Sequence, residues 1–316
     1  MATSQHILIA GGAGFIGCHL SAYFLKKGFK VTCVDNLLTG EGKNIEPFLE
    51  NPNFSFLKKD VTEVFEVPAE LHYIMNMASP ASPVDYQKFP LETLRVGSRG
   101  TENLLELAKA KGAVFLMAST SEVYGDPLVH PQTESYWGHV NSVGPRSCYD
   151  EAKRYAESLT VAYAKKYGVP VRIARIFNTY GPQMRLNDGR ALPNFLTQAL
   201  LGKEVTVFGD GLQTRSFCYV DDLVEGLAKL LFSKETEPVN LGNPSEISLL
   251  NFANVVLRAT ASKSRVVFHE LPQDDPKQRR PDITKAKRVL GWEPLVTLQQ
   301  GLAKTIPYFA RALGVS

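Results

Sequence analysis

Three observations in this sequence predict an α/β fold built on a doubly wound parallel sheet. A short apolar run, 6–10 (HILIA), leads into glycines, a periodic stretch from Phe15 to Lys27 and a second apolar run, 30–34, that ends at Asp35. Short buried strands and helical stretches then alternate as far as residue 177, the rhythm of parallel strands joined by crossover helices. Glycines 11, 14 and 17 stand between the first strand and the first helix, which makes the sheet Rossmann-type. After about residue 180 the rhythm changes, and a smaller C-terminal substrate-binding domain is expected there.

In chain order, 54–57 and 73–77 read as short strands. Residues 99–110 read as a helix with Leu104, Leu105 and Leu107 among its apolar positions, and 113–119 (AVFLMAS) as a central strand. A long helix over 149–167 stops at Gly168 and Pro170, and 171–177 (VRIARIF) is the next strand. Pro182, Gly189 and Pro193 then break the alternation. A helix near 193–201, a strand at 204–208, a strand-then-helix pattern over 216–232 and helices near 248–261 and 297–312 follow. PVNLG at 238–242 reads as one more strand of the first sheet. The expected domains are 1–180, with returning segments near 214–242, and 181–316.

Composition narrows the function classes. Hydrophobic residues at 44% and charged residues at 21% describe a globular protein rather than a disordered one. Thirty-five Lys plus Arg against 32 Asp plus Glu leave a net charge of +3, which gives no case for a nucleic-acid partner. Cys18, Cys33, Cys148 and Cys218 lie far apart with no CxxC, so neither a disulfide scaffold nor a metal site is expected, and a reducing, cytoplasmic setting is. Residues 1–5 are short and polar, with no signal peptide before the first strand, and no run of about 18 apolar residues predicts a membrane role.

The segment GGAGFIG at 11–17 has the spacing of a dinucleotide-binding turn. Gly11 permits the tight turn, Gly14 lets the chain approach a pyrophosphate, and Gly17 lets helix and strand pack closely. Phe15 and Ile16 open a helix whose N–H groups face an anion. Asp35, next to Asn36, can accept from both ribose hydroxyls and would repel a ribose phosphate, which favours NAD over NADP. Asp60 follows a strand and can accept from the adenine amino group. Small side chains in MASPASP allow a cofactor to lie close to the backbone at Ala78, and Pro80 is expected to touch the substrate. The alternative is structural glycines beside a surface Asp, with Asp60 a plain turn carboxylate.

Tyr149 and Lys153 are four residues apart and share one helix face. A phenol with an ordinary pKa near 10 is a poor base; a neighbouring ammonium and a nicotinamide cation favour its phenolate. Tyr149 can then take a hydroxyl proton while hydride leaves for NAD, and Lys153 can hold the nicotinamide ribose. Thr120, Ser121 and Glu122 stand just past the central strand, where ligands of open parallel sheets sit. Thr120 can donate to the reacting hydroxyl and Glu122 can relay or position a proton. The alternatives are a chance Y-x-x-x-K and a capped turn before Gly125–Pro127.

With these segments together, the chain resembles the extended short-chain dehydrogenase/reductases, more closely their nucleoside-diphosphate-sugar group, and within it the UDP-glucuronic acid decarboxylases. The resemblance rests on GGAGFIG, ASPASP (78–83), ASTSEVYGDP (118–127), HPQTESYWGHVN (130–141), GPRSCYDEAKR (144–154), RIFNTYGP (175–182), GDGLQTRSFCYVDDLVEGL (209–227) and RRPDITKAKRVLGWEP (279–294). It implies a tightly bound, recycled NAD, a UDP-sugar substrate and a homodimer formed through helices near 99–110 and 149–167. It also implies that Arg279 sits by the sugar carboxylate, Arg215 by the nucleotide or its phosphates, Asn178 by the diphosphate, and Ser121 by the carboxyl end. Ser121 stands where the 4,6-dehydratases carry an Asp, which argues against dehydration. Glu122 argues against simple 4-epimerisation, although a 4-epimerase and a non-catalytic nucleotide-sugar sensor stay open. The chain departs from the pattern at Gly97, where Asn is usual, at Ala152, where Gly is common, at Gln183, where Arg is usual, and at ALP, 191–193.

Overall fold

A computed structural model describes residues 5–271 and 276–315. The first four residues of the polar N-terminal segment lie outside that range, so the reading of 1–5 is met only at Gln5.

The first half alternates as expected. It runs through β1 (His6–Ala10), α1 (Phe15–Lys26), β2 (Lys30–Asp35), β3 (Phe54–Lys58) and β4 (Tyr73–Asn76). Next come α2 (Pro83–Lys88), α3 (Pro90–Arg95), α4 (Thr101–Lys111), β5 (Val114–Thr120), α5 (Ser147–Tyr167) and β6 (Val171–Ile176). Then follow β7 (Thr179–Tyr180), α6 (Ala191–Leu200), β8 (Val205–Phe208), β9 (Thr214–Ser216), β10 (Cys218–Tyr219), α7 (Val220–Phe232) and β11 (Val239–Leu241). The chain closes with β12 (Glu246–Ser248), α8 (Leu249–Ala259), β13 (Val266–His269), β14 (Gln278–Arg279), α9 (Thr284–Leu290) and α10 (Leu298–Leu313).

Seven parallel strands form one sheet in the order β11-β6-β5-β4-β1-β2-β3. The chain winds outward in both directions from β1, so the switch point lies between β1 and β4. That is where the carboxyl ends of strands leave a crevice for a ligand. β1 and β5 are buried almost throughout, because helices cover both faces of the sheet. Ile7, Ile9 and Leu116 belong to one hydrophobic cluster, and Leu8, Phe115 and Met117 to the other, as alternate side chains on a strand require.

The single helix expected over 99–110 is longer and broken. Pro90 opens α3, a π-turn over 96–100 follows, and α4 continues. The π-turn contains Gly97, and a Cβ there would lie 2.6 Å from the Ala152 Cβ on α5. The departures at 97 and 152 are therefore a single packing exchange: the bulk sits on α5, and the facing helix gives up its side chain.

Of the returning segments, β11 joins the large sheet, with Val239 opposite Ala174. β9 does not; it pairs with β12 and β14 in a separate three-stranded sheet. Parallel pairing of β14 with β9 sets Arg279 directly beside Arg215. Pro193 sits in the first turn of α6, where the missing N–H breaks no helical bond. Among the described residues, no helix is long and apolar enough to cross a membrane.

Candidate active site

The residues singled out above line two adjoining chambers at the carboxyl end of the large sheet. The larger, about 590 Å³, runs from Gly11, Gly14, Phe15, Ile16 and Gly17, past Thr120, Ser121, Glu122, Tyr149 and Lys153, to Asn178, Arg215 and Arg279. The smaller, about 170 Å³, is walled by Asp35, Asn36, Asp60, Ala78 and Pro80 and shares Gly11 and Gly14 with the first. Pro80, expected on the substrate, instead lies in the smaller chamber; Ser79, Ala81 and Ser82 face the larger one.

The smaller chamber has the form of a trough for an adenosine half. Gly11 has φ +75°, and a Cβ there would lie 2.8 Å from the Ala78 Cα, so no side chain fits between the strands. The Asp35 carboxylate accepts from Ala13 N at 3.0 Å and Leu37 N at 2.8 Å, which fixes it at the strand end. Burial pushes its pKa up against those two hydrogen bonds. Asp60 accepts from Asn36 Nδ2 at 2.9 Å and from Thr62 N at 2.8 Å. Burial opposes its charge, but the Thr62 and Asn36 bonds win and lower its pKa. Two fixed carboxylates facing this trough suit ribose hydroxyls and an amino group rather than a ribose phosphate.

Two groups of side chains meet in the larger chamber. In the first, α5 carries Tyr149 and Lys153 on one face against the end of β5. Tyr149 is 6% exposed and stacks on Tyr86 of α2, with centroids 5.1 Å apart and rings 11° from parallel. Lys153 is buried, and its Nζ donates to Ala118 O at 2.9 Å, 5.7 Å from the Tyr149 centroid. Burial pushes the Tyr149 phenol up to about 12 and the Lys153 ammonium down to about 8. Burial is the largest influence on the Tyr149 phenol, and Thr120, by a hydrogen bond, and Arg190 act against it to favour the phenolate.

In the second group, Thr120 caps the 3-10 turn Ser121–Tyr124, accepting from Glu122 N at 3.2 Å. That turn aims Ser121 and Glu122 at Arg279. The Arg279 guanidinium donates to Ser121 Oγ at 2.9 Å, Glu122 Oε2 at 3.2 Å and Gly125 O at 3.0 Å. Arg146 donates to the same Glu122 oxygen at 2.8 Å. Burial alone would raise the Glu122 pKa; the two guanidiniums overcome it and hold it at about 2. Held as a carboxylate, Glu122 fixes the two arginines in place. Arg279 is 2% exposed, and its Nε is buried with no partner. Behind this group lies Asp150, buried, with Oδ1 unpartnered and its pKa raised to about 8 by burial and then by Glu122.

Arg215 is buried and donates to Thr214 O at 2.8 Å, and Asn178 lies on the chamber wall with its backbone carbonyl bonded to Cys218 N. Sequence reasoning missed Tyr86, Arg146, Asp150 and Arg190. Arg146 carried a readable signal, since it precedes Tyr149 by one helical turn. Arg190, paired with Asp188 through Nη2 at 2.7 Å, carried none.

Comparison with known proteins follows the same lines. The family model for GDP-mannose 4,6 dehydratase matches residues 8–305. A UDP-glucuronic acid decarboxylase 1 of Danio rerio is 53% identical over 98% of this chain and 73% of its own length. A UDP-glucuronic acid decarboxylase 4 of Arabidopsis thaliana is 50% identical over 96% of this chain and 68% of its own. Among solved structures, a UDP-glucuronic acid 4-epimerase from Bacillus cereus, in complex with UDP-glucuronic acid and NAD, superposes with a TM-score of 0.89 at 28% identity, over 98% of this chain and 100% of that one. A dTDP-glucose 4,6-dehydratase from Streptomyces venezuelae with NAD bound gives 0.90 at 26% identity, over 98% of each chain.

Proposed function

The chain belongs to the GDP-mannose 4,6 dehydratase family, among its UDP-glucuronic acid decarboxylases, and from that premise we propose that it converts UDP-glucuronic acid to UDP-xylose and carbon dioxide through a C4 ketone. Its site residues fit NAD: the Gly11 turn admits no Cβ, and the fixed Asp35 carboxylate meets the adenosine side. NAD bound there supplies the oxidising equivalent at C4 and later the reducing one. Gly11, Gly14, Phe15, Ile16 and Gly17 hold the pyrophosphate, Asp35, Asn36, Asp60, Ala78 and Pro80 the adenosine, and Lys153 the nicotinamide ribose.

Tyr149 takes the C4 hydroxyl proton as that carbon is oxidised. Tyr149 does so as the phenolate, after giving its own proton to solvent; burial makes that loss costly, and Thr120 and Arg190 lower the cost. A ketone at C4 turns the sugar into a β-keto acid, so the electrons of the breaking C5–carboxyl bond pass into the C4 oxygen. Thr120 and Tyr149 donate to that oxygen where charge develops. Tyr149 is a phenol at this point because it holds the proton taken from C4, and burial favours that form. Arg279 and Ser121 hold the carboxylate beforehand, and Glu122 with Arg146 fixes the angle of the Arg279 guanidinium. A ground-state grip on the carboxylate charge would oppose its loss, so Arg279 speeds the step by orientation: it holds the C5–carboxyl bond where its electrons can pass into the C4 carbonyl. C5 then takes a proton from water at the Glu122–Arg279 end. Arg215 and Asn178 hold the nucleotide and its diphosphate.

The observation that carries this reading is Arg279 itself: a buried guanidinium with a spare Nε–H, tied to the turn that starts at Thr120. A UDP-glucuronate 4-epimerase binds the same carboxylate, so Arg279 supports a uronate substrate, and the decarboxylase relatives at 53% and 50% identity favour loss of that carboxylate; the Bacillus cereus neighbour keeps epimerisation as the second reading. The test is mass spectrometry and NMR of products from UDP-glucuronic and UDP-galacturonic acids. UDP-xylose supports decarboxylation; isomers of unchanged mass support epimerisation; bound NAD with no turnover of either supports the sensor.

A homodimer is part of the proposal. Leu91 and Leu94 on α3 and Tyr155 on α5 are exposed on two helices that pack together, a face a second copy would cover. The four free cysteines fit a reducing, cytoplasmic setting. Division into an NAD-binding part, 1–180 with β11 returned to its sheet, and a nucleotide-sugar-binding part, 181–316, belongs to the same reading.

A further inference from the structure

The loop after β7 departs from the family pattern at Gln183, where a cation is usual. Gln183 has φ +67°, and its Oε1 is buried with no partner. The cation instead stands two residues on. Arg185 reaches Asp85 of α2, one hundred residues earlier in the chain, and binds its carboxylate through Nη2. Both side chains are largely covered, at 23% and 11% exposure. Asp85 is held from behind by Ser82 Oγ at 2.7 Å, so it presents a fixed carboxylate rather than a swinging one. The contact is not isolated. Val84, next to Asp85, packs so closely on Gly189 that a Cβ at 189 would collide with it. α2 also carries Tyr86, the ring stacked on Tyr149.

Thus a six-residue helix on the cofactor side and the 181–190 loop on the substrate side are joined by one ion pair, and both line the larger chamber. We infer that Asp85 and Arg185 form a clasp that retains the oxidised sugar and the reduced cofactor together until the pentose is complete. The inference rests on the decarboxylase reading. That reaction needs the clasp, because a ketone formed in one step is consumed by the same cofactor in a later one. Escape between the two steps yields a released UDP-4-keto-pentose and a reduced cofactor in place of UDP-xylose. Arg185 and Asp85 are then positioning residues: they touch neither hydride nor proton, and they act on how long the chamber stays shut.

The test is the rate at which NADH leaves the full-length protein loaded with NADH and UDP, followed by fluorescence after mixing with excess NAD. Breaking a partly buried pair is expected to speed release by about three- to tenfold in Arg185→Gln and in Asp85→Asn. The double variant is expected to be no faster than the faster single one, since both remove the same contact. Arg185→Lys restores most of the slow rate. With UDP-glucuronic acid, the released fraction of UDP-4-keto-pentose rises in the same order. Release rates equal to that of the unaltered protein, in variants that melt at the same temperature, would overturn the clasp. So would singles whose effects multiply in the double. NADH release is read without turnover, so it judges the clasp even if the decarboxylase reading fails.

Discussion

At the Tyr149 end of the chamber burial sets the protonation states, whereas at the Glu122 end ion pairing sets them. The two ends are built from the same two segments, the end of β5 and the start of α5. Tyr149 and Lys153 are both pushed toward their neutral forms, with burial the largest cause at each. Glu122 is also largely covered, with its side chain 17% exposed, yet two guanidiniums keep it charged. The difference matches the chemistry. A group that must pass a proton back and forth works best without a strong partner, while a group that fixes an anchor needs one.

The largest expected effect is at the uncompensated end. Tyr149→Phe removes the group placed to move the C4 proton, and turnover should fall by about 10³-fold or more, with the fold and NAD binding kept. Single-turnover absorbance of NADH checks it; undiminished NADH formation would remove Tyr149 from its role. Next is Arg279→Ala, expected to lower carbon dioxide release by about 10²-fold while NADH still forms. A UDP-4-keto-hexuronic acid should then accumulate, visible by trapping with borodeuteride. Equal losses in both steps would mean that the two ends are not separable.

Glu122→Gln sharpens the same contrast through stability. It leaves two buried guanidiniums facing a neutral amide and should cost about 3 kcal/mol at neutral pH, read by urea unfolding. The folded pKa of about 2 lies below the ordinary 4.5, so the stabilisation is present above pH 4.5 and lost as pH falls through about 2. The Gln variant should lose that part of the acid slope. Asp150→Asn acts with the opposite sign. Asp150 binds a proton in the folded state up to about pH 8 that the unfolded chain gives up near 3.8, so stability falls as pH rises across that window. The Asn variant should flatten this decline, and a decline unchanged from the parent would put the Asp150 pKa elsewhere.

How much of this was legible in the sequence follows from element length. β1, β5, α1 and α5 are long enough for periodicity to show, and they carry the glycine turn, Thr120, Tyr149 and Lys153. β7, β9, β12 and β14 have two or three residues each, too few for any period, and their partners lie far away in the chain. Arg279 sits on one of these, so only the resemblance reached it. α2 has six residues and was not foreseen, which hid both Tyr86 and Asp85. The departures at 97 and 152 looked like two changes in the sequence and are one contact in space. Protonation states were the least legible: spacing placed Lys153 near Tyr149, but only the packed structure shows that burial outweighs the charge.

The most direct measurement follows the carboxyl carbon. UDP-glucuronic acid labelled at C6 is incubated with the protein and NAD, and labelled carbon dioxide, UDP-pentose and NADH are quantified together. The expected result is label in carbon dioxide, an equal amount of UDP-xylose and little net NADH, with all three absent in Tyr149→Phe. Label retained in a UDP-uronic acid of inverted C4 would contradict decarboxylation and establish the epimerase instead.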